Sequence, residues 1–128
     1  MEILSIVTQS LSALLLVMVG LMRMTDPIKN YAKNSGITFS NDVDVLNEMR
    51  GVGAVMLLAG IILVLGIFFD QMTHSSFMVG SLIFIGFLVG RTLGMIKDGK
   101  PNKQIIQGMI FELVLGTLNL VCLINFLV

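Results

Sequence analysis

Four long apolar stretches, at about residues 3–22, 49–69, 76–96 and 104–127, constrain this chain more than anything else in it. A bilayer core about 30 Å thick needs roughly 20 apolar residues at 1.5 Å each, and every stretch meets that length. No charge lies between Gly51 and Phe69 or between Phe77 and Gly90, and the fourth stretch holds only Glu112. Backbone groups find no water in hydrocarbon, so such segments span it as helices. The strict alternation of a membrane barrel is absent. Composition points the same way: the 128 residues are 55% hydrophobic and only 12% charged, whereas soluble domains carry about 25% charged residues. The predicted fold is all-α, an integral membrane four-helix antiparallel bundle forming one domain over residues 1–128.

The connections suit that bundle. Residues 23–41 form the longest gap, with turn chemistry at Asn34-Ser35-Gly36. Ser40, Asn41 and Asp42 offer helix N-caps, so the second helix is expected to begin before the membrane. A tight hairpin around Asp70–Ser75 joins the second and third spans, and Asp98-Gly99 followed by Pro101 is a helix stop before the fourth. All eight Lys and Arg residues flank two of the gaps: Arg23, Lys29, Lys33 and Arg50 at the first, Arg91, Lys97, Lys100 and Lys103 at the last. Cytoplasmic loops are enriched in such residues. The expected location is therefore a bacterial inner membrane, with both gaps in the cytoplasm and both termini outside it. The first stretch follows Glu2 and precedes Arg23, the reverse of a signal peptide's polarity, and reads as a retained anchor.

Small residues govern helix association in lipid because they let backbones approach. Gly86, Gly90 and Gly94 recur every four residues in the third span, Gly53 and Gly60 share a face of the second, and Gly108 and Gly116 lie in the fourth. These stripes are expected to seat the helices of one chain against each other, self-association being the other use for them. The ten methionines read as adaptable packing.

Ionisable groups inside a membrane cost about 2.5–3.5 kcal/mol at mid-helix. Glu48 and Arg50 at the start of the second span, Arg91 near the end of the third and Glu112 in the fourth all fall in the cytoplasmic half. Glu112 shares a helical face with Gly108, Gly116 and Asn119. The expectation is that Glu112 pairs with Arg91 or Arg50 and that Glu48 completes the network. Such a cluster, with Asn119 on the same face, is either a ligand site or a set of ion pairs that locks helix register. Thr8, Gln9, Ser10 and Ser12, with Asn119 and Asn125, read as interhelical hydrogen bonding, and the lone His74 as solvated.

Several classes lack support. No basic run suggests nucleic acid, and the single Cys122 permits neither a disulfide framework nor a cysteine-rich metal site. Gly51-Val52-Gly53 lacks the strand and third glycine of a nucleotide fingerprint. No catalytic set, metal site or cofactor is expected.

Glu48-Met49-Arg50-Gly51, Arg91-Thr92-Leu93-Gly94, Asp98-Gly99-Lys100-Pro101 and Glu112 carry a further signal. In these motifs, and over most of its length, the chain resembles a bacterial family of small four-span proteins classed as a domain of unknown function. More distantly its layout is similar to DoxX-like four-span proteins, some of which accompany quinone-linked oxidoreductases; no functional residue carries across. The closer resemblance implies a bundle with a shared charged motif at Glu48, Arg50, Arg91 and Glu112, and no particular activity. The expectation is then a non-enzymatic membrane protein, in contact with lipid, whose charged cluster binds a small amphiphile, either a lipid head group or a quinone. The alternatives are an accessory subunit of a larger membrane complex and a proton-coupled transporter acting as a homodimer.

Overall fold

The computed structural model describes residues 2–128, and among these it contains five helices and no strand. They are α1 (Glu2–Thr25), α2 (Pro27–Ser35), α3 (Val43–Phe68), α4 (Asp70–Asp98) and α5 (Lys103–Leu127). Four of them, α1, α3, α4 and α5, are long and apolar enough to cross a membrane.

The helix ends explain the path of the chain. Asp26 caps α2, accepting from the Lys29 N–H at 3.3 Å, and Pro27 occupies the first turn where its missing N–H costs nothing. Gly36 closes α2 at φ 63°, a left-handed position that glycine takes without a Cβ penalty. The Asp42 carboxylate accepts from the N–H groups of Asp44 and Val45, so α3 does begin before its apolar stretch. Asn102 caps α5 through the Ile105 N–H at 2.9 Å, and its amide donates to the Ser35 carbonyl at 2.8 Å. That second bond ties the end of α2 to the start of α5.

Two local expectations change. The long gap holds the helix α2, signalled by Asp26-Pro27 at one end and Gly36 at the other. The hairpin between the second and third spans is a single extended residue, Phe69, and residues 70–75 are the first turns of α4. Thr73 makes so short a connection workable, because its hydroxyl donates to the Gly66 carbonyl at 3.0 Å.

In the bundle α1 packs chiefly on α3 and α5 chiefly on α4, with α3 and α4 also adjacent; α1 and α5 meet along a thinner seam. Ala13, Leu16, Met56, Ala59, Leu63, Phe84 and Leu115 form the apolar core. The α1–α3 crossing is backbone against backbone: a Cβ on Gly53 would lie 2.5 Å from the Met24 nitrogen, and one on Gly20 2.6 Å from the Leu57 nitrogen. Gly60 admits Val17 in the same seam, and Gly116 lies close to Ile85. Gly20 escaped the sequence reading, which followed spacing within single spans rather than pairing between them.

The stripe of Gly86, Gly90 and Gly94 does not seat any helix of this chain. A Cβ at each would meet no atom within 4 Å. The face that α4 turns inward carries Ser76, Phe77, Gly80, Ser81 and Phe84 instead. Helical phase is the reason at Gly86 and Gly90, which at 3.6 residues per turn fall away from the flank of Phe77, Gly80 and Phe84.

A graded response is expected from glycine replacements. Gly53→Leu should destabilise the folded protein by about 2 kcal/mol or more through overpacking, while Gly90→Leu should leave it within about 0.5 kcal/mol of the parent, as a surface change does. Reversible denaturation in mixed micelles, followed by circular dichroism, measures both.

Candidate functional site

At the end of the bundle that carries α2, the seam between α1 and α5 opens into a cavity of about 300 Å³. One part of its wall is apolar, with Leu16, Val19, Phe84, Phe87 and Phe111. The other part is polar, with Arg23, Lys33, Arg91, Gln104 and Glu112. The sequence alone supplies this asymmetry: inward positions near the helix middle are Leu and Phe, while those within two or three turns of the end are charged.

Glu112 lies about 13 Å along α5 from Lys103 at 1.5 Å per residue and is 7% exposed. Its Oε2 accepts from the Arg91 Nη1 at 2.7 Å, a charge-assisted bond and the one ion pair within 4 Å among the described residues. Gly108 makes room for it, because a Cβ there would lie 2.9 Å from that same Nη1. The Arg91 guanidinium also lies 5.5 Å from the Phe87 ring centre. The second carboxylate oxygen, Oε1, is buried without a hydrogen-bond partner. A buried unpaired oxygen costs about 1–3 kcal/mol, more when charged, so this atom marks a position where a donor would be welcome.

Glu48 and Arg50 do not join this pair. Both are exposed at the start of α3, and the Arg50 Nη1 donates to the carbonyls of Met24 at 2.5 Å and Thr25 at 3.0 Å. Arg50 therefore satisfies the otherwise free carbonyls at the end of α1. The error was one of azimuth: equal depth brings residues together only when their helices turn the same faces inward.

Asn119 also lies apart from the pair, seven residues or about 10 Å further along α5. It is fully buried and donates to the Ser12 hydroxyl at 3.0 Å and the Leu115 carbonyl at 2.8 Å. Around it runs a second polar layer: the Gln9 amide donates to the Ser76 hydroxyl at 2.8 Å, and the Cys122 thiol lies 3.9 Å from the Thr8 hydroxyl. Gly66 and Gly80 leave space for Ser76 and Asn119. This layer cross-links helices and does not reach the cavity beside Arg91 and Glu112. Ser10 and Asn125, expected to bond in the same way, are exposed. His74 is partly buried and stacks near Phe126, their ring centres 5.3 Å apart.

The residue missed by sequence reasoning is Arg23. It looked like a cation flanking a loop, yet it is 5% exposed. Its Nε donates to the Asn30 Oδ1 at 3.0 Å and its Nη2 to the Ser35 hydroxyl at 3.3 Å, while Nη1 lies 3.6 Å from the Met56 sulfur and the Tyr31 ring centre 4.3 Å from Cζ. Three of those four partners come from α2 and its end. The available signal was Asp26-Pro27, which turns α2 back over the bundle.

On the outer side of α4, an open groove passes over Gly86 and Gly90 and reaches Phe87 and Arg91, which also border the cavity.

The fold and this arrangement describe a small helical membrane protein with an amphipathic cavity at one end. The chain belongs to the family described as Domain of unknown function (DUF4345), whose model matches residues 5–123. Neither a curated protein nor a solved structure matches it.

Glu112 and Arg91 should behave as a coupled pair. Glu112→Gln and Arg91→Gln are each expected to destabilise the protein, and the double variant to lose less than their sum by about 1–2 kcal/mol. A double-mutant cycle of denaturation in micelles reads the coupling; strict additivity would mean that the two groups do not interact.

Proposed function

We propose that this is a non-enzymatic protein of a bacterial inner membrane that holds a small amphiphile in the cavity beside Arg91 and Glu112. The observation that carries the proposal is the pairing of an apolar wall with a polar end inside one cavity, where Glu112 keeps a buried oxygen without a partner. Ligand sites combine a mostly apolar lining with a few converging polar groups, at volumes from about 300 to 1,000 Å³. A cavity of about 300 Å³ suits a small occupant. Phe84, Phe87 and Phe111 would accept the apolar part, and the polar wall of Arg23, Lys33, Arg91, Gln104 and Glu112 the polar part. A lipid head group with part of its chain, or a quinone, has this two-part character.

In this reading the end with α2 faces the cytoplasm, since every Lys and Arg lies at or near it, and both termini face the opposite side. The cavity then sits in the inner leaflet, within reach of lipids moving along the groove on α4.

The outward glycine stripe supports a second reading, in which α4 receives a helix of another chain and the protein serves as an accessory subunit or forms a homodimer. Backbone approach at such stripes is a recognised driver of association in lipid. The two readings share the groove over Gly86 and Gly90: a helix seated there would close the lipid route along α4 and leave the cavity itself in place.

Two measurements test the proposal. Native mass spectrometry of protein extracted in mild detergent should show a retained small molecule, and Val19→Phe, which fills the cavity, should abolish the adduct while leaving the melting temperature within a few degrees; a parent protein with a bare apo mass overturns the reading. A reporter domain fused after Val128 should be found outside the cytoplasm, and a cytoplasmic signal would reverse the orientation.

A further inference from the structure

We infer that Arg23 is an anion seat, and that the amphiphile proposed above therefore carries a negatively charged head, a carboxylate or a phosphate ester, on a single apolar chain. This rests on the reading that the cavity binds an amphiphile and narrows the class to anionic ones, at the expense of neutral quinones.

The argument starts from charge. Three cations, Arg23, Lys33 and Arg91, line the cavity against one acid, Glu112, a formal excess of two positive charges. Glu112 is already committed to Arg91 at 2.7 Å. Arg23 has no carboxylate within 4 Å among the described residues, and its contacts are an amide oxygen, a hydroxyl, a thioether and an aromatic ring, all neutral. The one acid that attracts it, Glu112, is bonded to Arg91, so the cavity's three cations share a single carboxylate, and buried cations are ordinarily paired.

The geometry of the guanidinium agrees. Arginine offers five N–H donors in a rigid fork. Asn30, Ser35 and Met56 take one each from Nε, Nη2 and Nη1, leaving one N–H on each terminal nitrogen. Two donors held on a planar fork suit two oxygens of a carboxylate or phosphate. The Tyr31 ring against the guanidinium and Asn30 at Nε fix the group in place, so little rotamer entropy remains to be lost on binding. Lys33, exposed at the rim, adds attraction for an approaching anion.

The rest of the anion's surroundings also fit. The unpartnered Oε1 of Glu112 would repel an anion placed beside it, so the head is held at the Arg23 side, where α2 closes the cavity, and the chain lies against Phe84 and Phe87. A volume of about 300 Å³, at the low end of ligand pockets, suits one chain rather than two.

Full-length protein in nanodiscs of phosphatidylcholine, titrated calorimetrically with dodecanoate, dodecyl phosphate and dodecanol, tests this. The anionic probes should bind at least about tenfold more tightly than dodecanol, Arg23→Gln should remove that preference, and Arg23→Lys should retain part of it. Lysophosphatidic acid, a single-chain phosphate ester, should displace dodecanoate if the natural source is a phospholipid derivative, and should bind more weakly than dodecanoate if it is a free carboxylic acid. Equal binding of dodecanol and the anions overturns the inference and spares the amphiphile reading; binding of no probe overturns both. An anion preference unchanged in folded Arg23→Gln places the seat elsewhere and also overturns it. Should Arg23→Gln fail to fold, a dodecanoate probe with a diazirine beside its carboxylate decides on the parent protein: labelling at Tyr31 or Ser35 supports the seat, and labelling confined to α4 or α5 refutes it.

Discussion

The backbone contact between α1 and α3 at Gly20 and Gly53 is the arrangement on which the rest of this bundle depends. Two helices that touch backbone to backbone cannot slide, because ridges and grooves of adjacent side chains would have to cross. With that crossing set, Met24 and Thr25 lie beside Arg50, whose guanidinium takes up their carbonyls. Arg23, one turn past Gly20, falls against Met56, one turn past Gly53. The end of α1 is thereby fixed in both height and rotation. Only then can the Asp26-Pro27 turn send α2 back across the bundle, where Asn102 anchors its far end. The cavity exists because α2 roofs a seam that α1 and α5 leave open.

A bilayer rewards a different partition from water, and the side chains follow it. Leu82, Ile96, Phe68 and Ile3 are all well exposed, which in lipid leaves no apolar surface wet. Polar side chains are the ones that gain by turning inward, where each can find a partner. They gather at two heights. Near the termini Gln9, Ser12, Ser76 and Asn119 bond across three helices and close the bundle with neutral groups. At the other end Arg91 and Glu112 meet as ions beside a space. Each layer keeps one buried oxygen without a partner, Asn119 Oδ1 in the neutral one and Glu112 Oε1 in the ionic one, but only the latter borders the cavity.

The sequence carried the four spans, their antiparallel order and the N-cap at Asp42, because each is a property of one segment: its length, its hydropathy or its capping residue. It also narrowed the partner of Glu112 to Arg91 or Arg50, since charges at matching depth have few others, and the structure selects Arg91. Features that depend on how two helices are rotated about their axes were not legible. Arg50 and Glu48 have the right depth and the wrong azimuth. Gly86, Gly90 and Gly94 have the right spacing and face outward, whereas Gly20, which no spacing within its own span singles out, makes with Gly53 the tightest backbone-to-backbone contact. Arg23 required knowing that a nine-residue helix folds back, which a reading tuned to 20-residue spans treats as loop.

Charge placement at the basic end also has a logic of cost. An ion pair inside a membrane is tolerated where water or head groups lie near, and the penalty falls toward the interface. Arg91 and Glu112 retain 25% and 10% of their side-chain exposure, so their charges are partly screened while still strengthened by the surrounding apolar wall. Arg23 lies closer to the helix end yet is more deeply covered, because α2 rather than depth shields it. Height along the bundle and burial are thus decoupled in this protein: a short roof helix covers a cationic corner near the helix ends. A four-helix bundle without α2 would leave the same arginine without Asn30, Tyr31 and Ser35, the partners that hold its guanidinium in one orientation.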